Sequence, residues 1–508
     1  MAGASDELVF APLGGLGEIG MNLAIYGFGP ESRRQWIAVD LGVAFADDAL
    51  PGIDLIMPDI RYLVEERRNL LGLVLTHAHE DHFGALIDLW PKLKLPVYAT
   101  PFTAALLQAK RESEPGAPQI PVKVLQLDSR FALGPFDIEL VSMAHSIPES
   151  NGLIIRTPLG AVLHTGDWKI DPTQLIGAPT DEAKLRALGG EGCLALVGDS
   201  TNAVRAGRSP SETDVAACLA ELIRTAPARV AVTTFASNVA RLRAVAQAAA
   251  ACEREVVVVG RAMERIAQDD HPEVAFSRGD RVIFSARAIP GNEKAIMRVI
   301  NGLVSQGIEV ITDRTHLVHV SGHPRMDELK DMIGWVRPQI LIPAHGEPLH
   351  MAEHAELARR AGVGQVVVCR DGELVRLAPG PAGKIDEVPA GRLYKDGSLL
   401  VSAEERTVAD RRRLGFAGVV SVALAVSSRG ELVADPEVML TGIPVADAHG
   451  QQIEELAREA ALEAIESMPR ARRRDPEAIA EAVRRAIRAA LAAVWNKKPT
   501  CHVHVLEV

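Results

Sequence analysis

The sequence predicts a layered α/β fold with its functional groups along one rim of the sheets, then a doubly wound unit and a smaller terminal α/β unit. Three observations predict it. Between residues 8 and 200, short apolar runs alternate with turns and repeatedly end in a chemically active side chain. From Ser211, longer helical patterns alternate with β-branched runs, as in a parallel sheet. A Pro/Gly-rich stretch, Ala378 to Gly383, then precedes a last α/β segment.

The elements follow in chain order. Leu8 to Leu13 reads as a strand leading into the glycine-rich run Gly14 to Gly20. The spacing of Gly15, Gly17 and Gly20 imitates a dinucleotide loop. The acidic ribose partner and the following helix pattern are missing, so NAD is rejected. Trp36 to Val39 is a strand ending at Asp40, and Leu71 to Thr76 is a strand ending at His77. Ile138 to Val141 precedes His145, Val162 to Gly166 ends at Asp167, and Leu194 to Gly198 ends at Asp199. Helices are expected over 212–226 and 240–252, alternating with strands over 229–234 and 255–259. Another strand, 339–343, precedes His345. The last helix has Asp475 as N-cap and Pro476 in its first turn. Its apolar stripe is Ile479, Val483, Ile487, Leu491 and Val494, a core or subunit-packing face. Arg470, Arg472, Arg473 and Arg474 before it read as a solvated charge run, in preference to an RNA contact.

Composition excludes several classes. The net charge is −11, so any nucleic-acid contact must come from a local basic patch and from metal. The 5 cysteines are scattered and form no CxxC, as expected of buried thiols in a reducing cytosol. No apolar stretch is long enough to span a bilayer, and the first residues lack signal-peptide order, so a cytoplasmic, non-membrane protein is expected.

Residues 77 to 82 read His-Ala-His-Glu-Asp-His. Alternate side chains of such a loop, His77 and His79, can face one metal ion, while Asp81 and His82 face a second. A dinuclear site needs further ligands. The expected sets are His77, His79, His145 and Asp167 for one ion, and Asp81, His82, Asp167 and His345 for the other. Imidazole and carboxylate ligands suit Zn²⁺, the expected ion, and Mn²⁺ shares them. Two such ions, roughly 3.5–4 Å apart, would activate water and neutralise a scissile phosphate. Asp40 is expected to accept a hydrogen bond from a ligand imidazole.

H-x-H-x-D-H with a later His, a Gly-Asp and a distal His resembles the metallo-β-lactamase superfamily. Asp199-Ser200-Thr201-Asn202, Phe235-Ala236-Ser237-Asn238, Pro290-Gly291-Asn292-Glu293, His319-Val320-Ser321-Gly322-His323 and Pro343-Ala344-His345-Gly346-Glu347 follow in that order. This is the pattern of the β-CASP branch, and with Gly14 to Gly20 at the start it is similar to the bacterial ribonuclease J family. The resemblance covers essentially the whole chain. It implies an αββα metallo-β-lactamase domain (1–208, returning at 325–378), interrupted by a doubly wound β-CASP domain (209–324). A linker (379–397) and a small C-terminal α/β domain (398–508) complete the expected plan. It implies hydrolysis of single-stranded RNA, 5′-to-3′ and endonucleolytic, with preference for a 5′-monophosphate. Asp81, Asp199 and His323 are the implied catalytic residues. Ser237, Asn238, Ser321 and His323 are the implied phosphate-binding residues, and a homodimer or homotetramer the implied assembly.

The chain departs from the family after Gly260-Arg261-Ala262-Met263. Several dozen residues, with a Thr-Gly-Ser-Gln-Gly-Glu segment, are missing, so the β-CASP domain is expected to be shortened near 264–272. Two other functions compete. A small-ester metallohydrolase would have no use for the long insertion. A catalytically weakened RNA-binding or degradosome component is suggested by the shortening alone.

Overall fold

The computed structural model describes residues 5–258, 276–287 and 292–508. The chain forms two compact units. One comprises residues through Ala46 together with Ile53–Ser402, and the other Asp47–Gly52 with Ala403–Val508.

The first unit is built on two large sheets. One has eight strands, in the order Gly383–Glu387, Glu373–Ala378, Glu7–Gly14, Leu23–Gly29, Gln35–Val39, Leu70–Val74, Val97–Ala99 and Val122–Val124. The other has seven, in the order Gln365–Val366, Ile340–Ala344, Cys193–Asp199, Gly160–His164, Asn151–Thr157, Phe136–Ser142 and Arg130–Leu133. Side chains of a strand alternate between faces, so each sheet feeds two cores. From Glu7–Gly14, Val9, Ala11 and Leu13 pack with Leu86, Leu89 and Leu107 of helices. Leu8 and Phe10 pack instead with Ile138, Leu140 and Val197 of the second sheet. That sheet turns Leu163, Leu196 and Leu341 outward onto Leu185, Leu329 and Trp335 of further helices. The result is the expected helix–sheet–sheet–helix sandwich. With both faces of the central strands covered, their sequences are continuous apolar runs rather than alternating ones.

Register places the functional strand ends together. Gln35–Val39 and Leu70–Val74 run parallel, with Val39 opposite Val74. Asp40 and the loop beginning at His77 therefore leave the same edge. In the second sheet Cys193–Asp199 lies parallel to both Gly160–His164 and Ile340–Ala344, with Asp199 opposite Ala344. Asp167, Asp199 and His345 consequently share one rim, at the carboxyl ends of parallel strands where α/β folds form crevices.

Between Asp199 and Ile340 lies a parallel three-stranded sheet, Val230–Thr233, Arg281–Phe284 and Glu309–Ile311. Ile283 packs with Val215 and Leu219 of the helix Glu212–Thr225, and Val282 with Leu303 of the helix Glu293–Ser305. Helices thus lie on both faces, as expected of a doubly wound insert. Its hub is Arg241, which is fully buried, forks onto Glu212 at 2.9 Å and donates to the carbonyls of Ser285 and Val318. One expectation fails here. Residues 255–258 form no strand, and Val257 and Val258 are 77% and 85% exposed. A β-branched run becomes a strand only where a partner edge and a covering face exist. Val259, the shortening near 264–272 and the Pro290-Gly291 pair lie outside the described residues.

Residues 379–397, expected as a linker, carry two strands. Gly383–Glu387 pairs with Glu373–Ala378, and Arg392–Asp396 pairs with Leu55–Pro58. Gly383–Glu387 is a polar edge strand, whereas Arg392–Asp396 lies between Leu55–Pro58 and Leu399–Ser402; neither shows apolar alternation, which is why they read as loop.

The second unit is a three-stranded sheet, Glu437–Thr441, Val419–Val426 and Thr500–Glu507, packed on the helices Ile453–Glu466 and Pro476–Trp495. Asp475 caps the last helix through the Glu477 amide, at 3.0 Å. Ile479, Val483, Ile487 and Leu491 are fully buried, but Val494 is 38% exposed because it lies in the final turn, beyond the sheet. The arginine run is divided. Arg473 donates to the Met468 and Glu466 carbonyls and closes the preceding helix, while Arg470, Arg472 and Arg474 are exposed. Of the cysteines, all free, Cys193, Cys369 and Cys501 are buried, whereas Cys218 and Cys252 are only half-buried, against expectation. Among the described residues no helix is long and apolar enough to cross a membrane.

Candidate metal centre

The loop after Leu70–Val74 is held on a backbone frame. His79 precedes the single-turn helix Glu80–Phe83, which carries Asp81 and His82. Asn22, Leu41 and Val43 donate their amides to the carbonyls of Asp81, His82 and Glu80, at 3.0, 2.7 and 3.0 Å. Gly42 packs so closely that a Cβ there would fall 1.7 Å from the Asp81 carbonyl oxygen. Only glycine fits that approach.

His77, His79, His145 and Asp167 offer one atom each within a common 4.8 Å, and so do Asp81, His82, Asp167 and His345. In the first set His79 Nδ1 lies 3.1 Å from His77 Nε2 and 3.0 Å from His145 Nε2. Asp167 Oδ2 is 3.7 Å from His77 Nε2 and 3.5 Å from His145 Nε2. In the second, Asp167 Oδ1 is 3.2 Å from His82 Nε2 and 3.3 Å from His345 Nδ1. Asp81 Oδ2 lies 3.6 Å from His82 Nε2 and 3.8 Å from His345 Nε2. Four ligands about 2.0–2.1 Å from one ion stand roughly 3.3 Å apart, so both sets have the spacing of coordination shells. Asp167 belongs to both, one oxygen to each.

Several of these imidazoles are oriented from behind. His82 Nδ1 donates to Asp40 Oδ2 at 2.7 Å, which turns Nε2 inward. Asp40 also accepts from the Thr76 amide and hydroxyl, each at 2.8 Å. His145 Nδ1 donates to the Gly322 carbonyl at 2.7 Å. Thr76 Oγ1 lies 3.0 Å from His77 Nδ1. Asp40 (φ 62°) and His345 (φ 46°) adopt the left-handed backbone that non-glycine residues seldom take. Strain of this kind, on the order of 1 kcal/mol or more each, collects where side chains must be aimed.

Electrostatics match the geometry. Burial holds the His77 and His145 imidazoles well below their ordinary range and His79 down to about 4. All three are therefore neutral near pH 7, as ligation requires. Burial also opposes charge on His82, but Asp167, Asp81 and Asp40 outweigh it and push that imidazole up. Asp167 is held well below the carboxylate range: burial acts against this, but His345, His82 and His323 prevail. Asp167 Oδ1 and both His345 ring nitrogens are buried without hydrogen-bond partners among the described residues. Divalent cations fit that donor set, because they would satisfy those atoms and offset the convergent carboxylates.

Asp199 and His323 sit beside these sets. His323 Nδ1 donates to Asp199 Oδ2 at 2.8 Å and lies 3.8 Å from Asp167 Oδ2. Burial opposes charge on His323, yet Asp199 and Asp167 push it up to about 9. Ser321 Oγ accepts from Asn202 Nδ2 at 2.9 Å, and the same amide donates to the His323 carbonyl at 3.1 Å. Among the described residues, Ser237 and Asn238 form no hydrogen bond with this network. Asn238 Oδ1 caps the helix Val239–Ala251 through the Arg241 amide at 2.9 Å, leaving Nδ2 for another partner.

Sequence reasoning missed Asn22, Thr76, Asn202 and Gly322. The signal for Gly322 lay in its own motif, between Ser321 and His323. A Cβ at Gly322 would fall 2.4 Å from the His145 ring. Gly322→Ala is therefore expected to displace His145 and weaken metal binding about 10- to 100-fold, measured by competition with a chelating dye.

Known proteins resemble this chain along its length. The ribonuclease J C-terminal domain family matches residues 406–508, and the ribonuclease J β-CASP domain family matches 227–266 and 262–303. The Zn-dependent metallo-hydrolase RNA specificity domain matches 307–369, and the β-lactamase superfamily domain 48–190. Ribonuclease J of Sinorhizobium meliloti is 49% identical, covering 99% of this chain and 98% of that protein. Its alignment runs over 551 positions against the 508 residues here, so the relative carries positions without a counterpart in this chain. Ribonuclease J of Thermus thermophilus is 35% identical over 92% of this chain and 89% of its own length. That of Mycolicibacterium smegmatis is 33% identical over 99% and 98%.

Proposed function

We propose a mode of action from one premise: this chain belongs to the ribonuclease J family and is a metal-dependent ribonuclease of the metallo-β-lactamase, β-CASP type. It degrades single-stranded RNA from the 5′ end, preferring a 5′-monophosphate, and also cuts internally. One ion would be held by His77, His79, His145 and Asp167, the other by Asp81, His82, Asp167 and His345. Such ions, when bound, supply Lewis acidity that acidifies water and neutralises phosphate charge. Zn²⁺ is the ion that the imidazole-rich first set favours, with Mn²⁺ able to replace it.

The rest is done by side chains. Asp40 and the Gly322 carbonyl fix His82 and His145, so no orientation is lost on turnover. Asp199 holds His323 through Nδ1, which leaves Nε2 to protonate the departing 3′-oxygen. Asp81, 27% exposed at its side chain, would be open to the substrate as well as to the second ion. The Ser321 and Ser237 hydroxyls and the Asn238 Nδ2 donate to the 5′-phosphate, setting its distance from the cut. The enzyme works in the cytoplasm as a homodimer or homotetramer.

The observation that supports this most is the sharing of Asp167 between two four-residue sets, with Asp167 Oδ1 and both His345 ring nitrogens buried without hydrogen-bond partners among the described residues. A complete ligand set also argues against a weakened RNA-binding component. The test is degradation of 3′-labelled RNA carrying a 5′-monophosphate or 5′-triphosphate. Nucleotide release is expected from the monophosphate substrate first, and a chelator should stop it. Binding without turnover would favour the RNA-binding alternative, and ester hydrolysis alone the small-substrate one.

A further inference from the structure

The net charge of −11 leaves open what draws RNA to the rim. The answer lies in three arginines from three chain segments, all tied to the 318–326 loop that carries Ser321 and His323. Arg205 follows Asn202, and its carbonyl accepts the Met326 amide at 3.0 Å. Arg325 stands two residues beyond His323. Arg287 stands two residues beyond Ser285, whose hydroxyl donates to the Val318 carbonyl at 2.6 Å. All three are half-buried.

Several other half-buried arginines meet acceptors: Arg156 meets Glu139 at 2.7 Å, Arg458 meets Glu454 at 2.7 Å, and Arg254 donates to the Ala226 and Ala228 carbonyls. Arg205, Arg287 and Arg325 form no ion pair among the described residues. Their charges also oppose one another. Arg205 is pushed below its ordinary range by burial and then by Arg287 and Arg325, with Asp313 alone acting against it. His319, in the same loop, has a buried Nδ1 without a partner. Guanidiniums held together without carboxylates are unfavourable unless an anion joins them. Their planar forks suit a phosphodiester oxygen pair.

We propose that Arg205, Arg287 and Arg325 form an anion-binding cluster that takes a backbone phosphate of the RNA strand beside the Ser321–His323 loop. It adds to the terminal-phosphate donors and rests on the ribonuclease reading above. The cluster supplies the local positive charge that an acidic protein needs to hold a polyanion.

The test is anisotropy of a labelled, 5′-monophosphorylated phosphorothioate RNA bound to the metal-loaded enzyme at about 50 to 200 mM salt. Arg205→Gln, Arg287→Gln and Arg325→Gln should each weaken binding about 5- to 20-fold. Each should also reduce the slope of log Kd on log salt by up to about 0.7. Arg205→Lys should keep the wild-type slope, because the charge remains. Arg208→Gln, at an exposed residue paired with Asp331 at 2.6 Å, should bind as wild type. Unchanged affinity and slope in the glutamine variants would overturn the proposal. So would a lysine variant as weak as its glutamine counterpart, since that pattern reads structure rather than charge. If the wild type neither binds nor degrades RNA, the ribonuclease reading falls too. If it does both and the glutamine variants match it, only the cluster falls.

Discussion

Asp167→Asn is expected to lower kcat on RNA by about 10³-fold or more, equivalent to roughly 4 kcal/mol of lost transition-state stabilisation. Bound metal should fall from two ions per chain to one or fewer. The side chain is 1% exposed and shares its two oxygens between the two sets. Asparagine has almost the same shape, so the packing around Trp168 and Gly166 is kept. It replaces one oxygen with an amide nitrogen that carries hydrogens and cannot ligate, and it removes the charge shared by both sets. Loss at any other ligand touches one ion first, whereas loss here touches both. Metal content by elemental analysis and kcat from nucleotide release check it together. A variant with two ions and near-normal kcat would remove Asp167 from the centre.

The second large effect is expected at Asp199. Asp199→Asn should reduce kcat about 10²- to 10⁴-fold, with KM little changed and both ions retained. Asp199 Oδ2 receives the His323 Nδ1 proton at 2.8 Å, and Oδ1 accepts the Thr201 amide at 2.9 Å. The substitution leaves the loop anchored but removes the charge that keeps His323 protonated and turned toward the substrate. His323→Ala should cost a similar amount. The double variant should be little worse than either single one, because the two act as a unit. Asp167, Asp199 and His323 also lie close enough to hold an ion themselves. Metal loss in Asp199→Asn would favour that role, and retention of both ions favours proton transfer through His323.

The residues of the two candidate sets were legible because the chemistry is written locally. His77 to His82 is a dense string at a strand end, and Asp167, Asp199 and His345 each follow an apolar run. Parallel register then brings those ends to one rim, as strand-end chemistry implies. What orients these side chains was not legible. The His145–Gly322 hydrogen bond joins residues 177 apart in sequence through a carbonyl that every residue possesses. Asn22 and Asn202 act on backbone and side chains far along the chain, and no spacing marks them. The fold shows the same division. Apolar runs buried on two faces stood out, whereas the polar strands at 383–387 and 392–396 looked like linker. The valines at 256–258 misled in the opposite sense, because propensity names a strand without naming its partner.

The most direct test of the central claim is anomalous diffraction at the metal absorption edge from crystals of the metal-loaded protein. Two peaks are predicted on either side of Asp167. One should be enclosed by His77, His79 and His145, and the other by Asp81, His82 and His345. A single peak, or two peaks that do not share Asp167, would contradict the account.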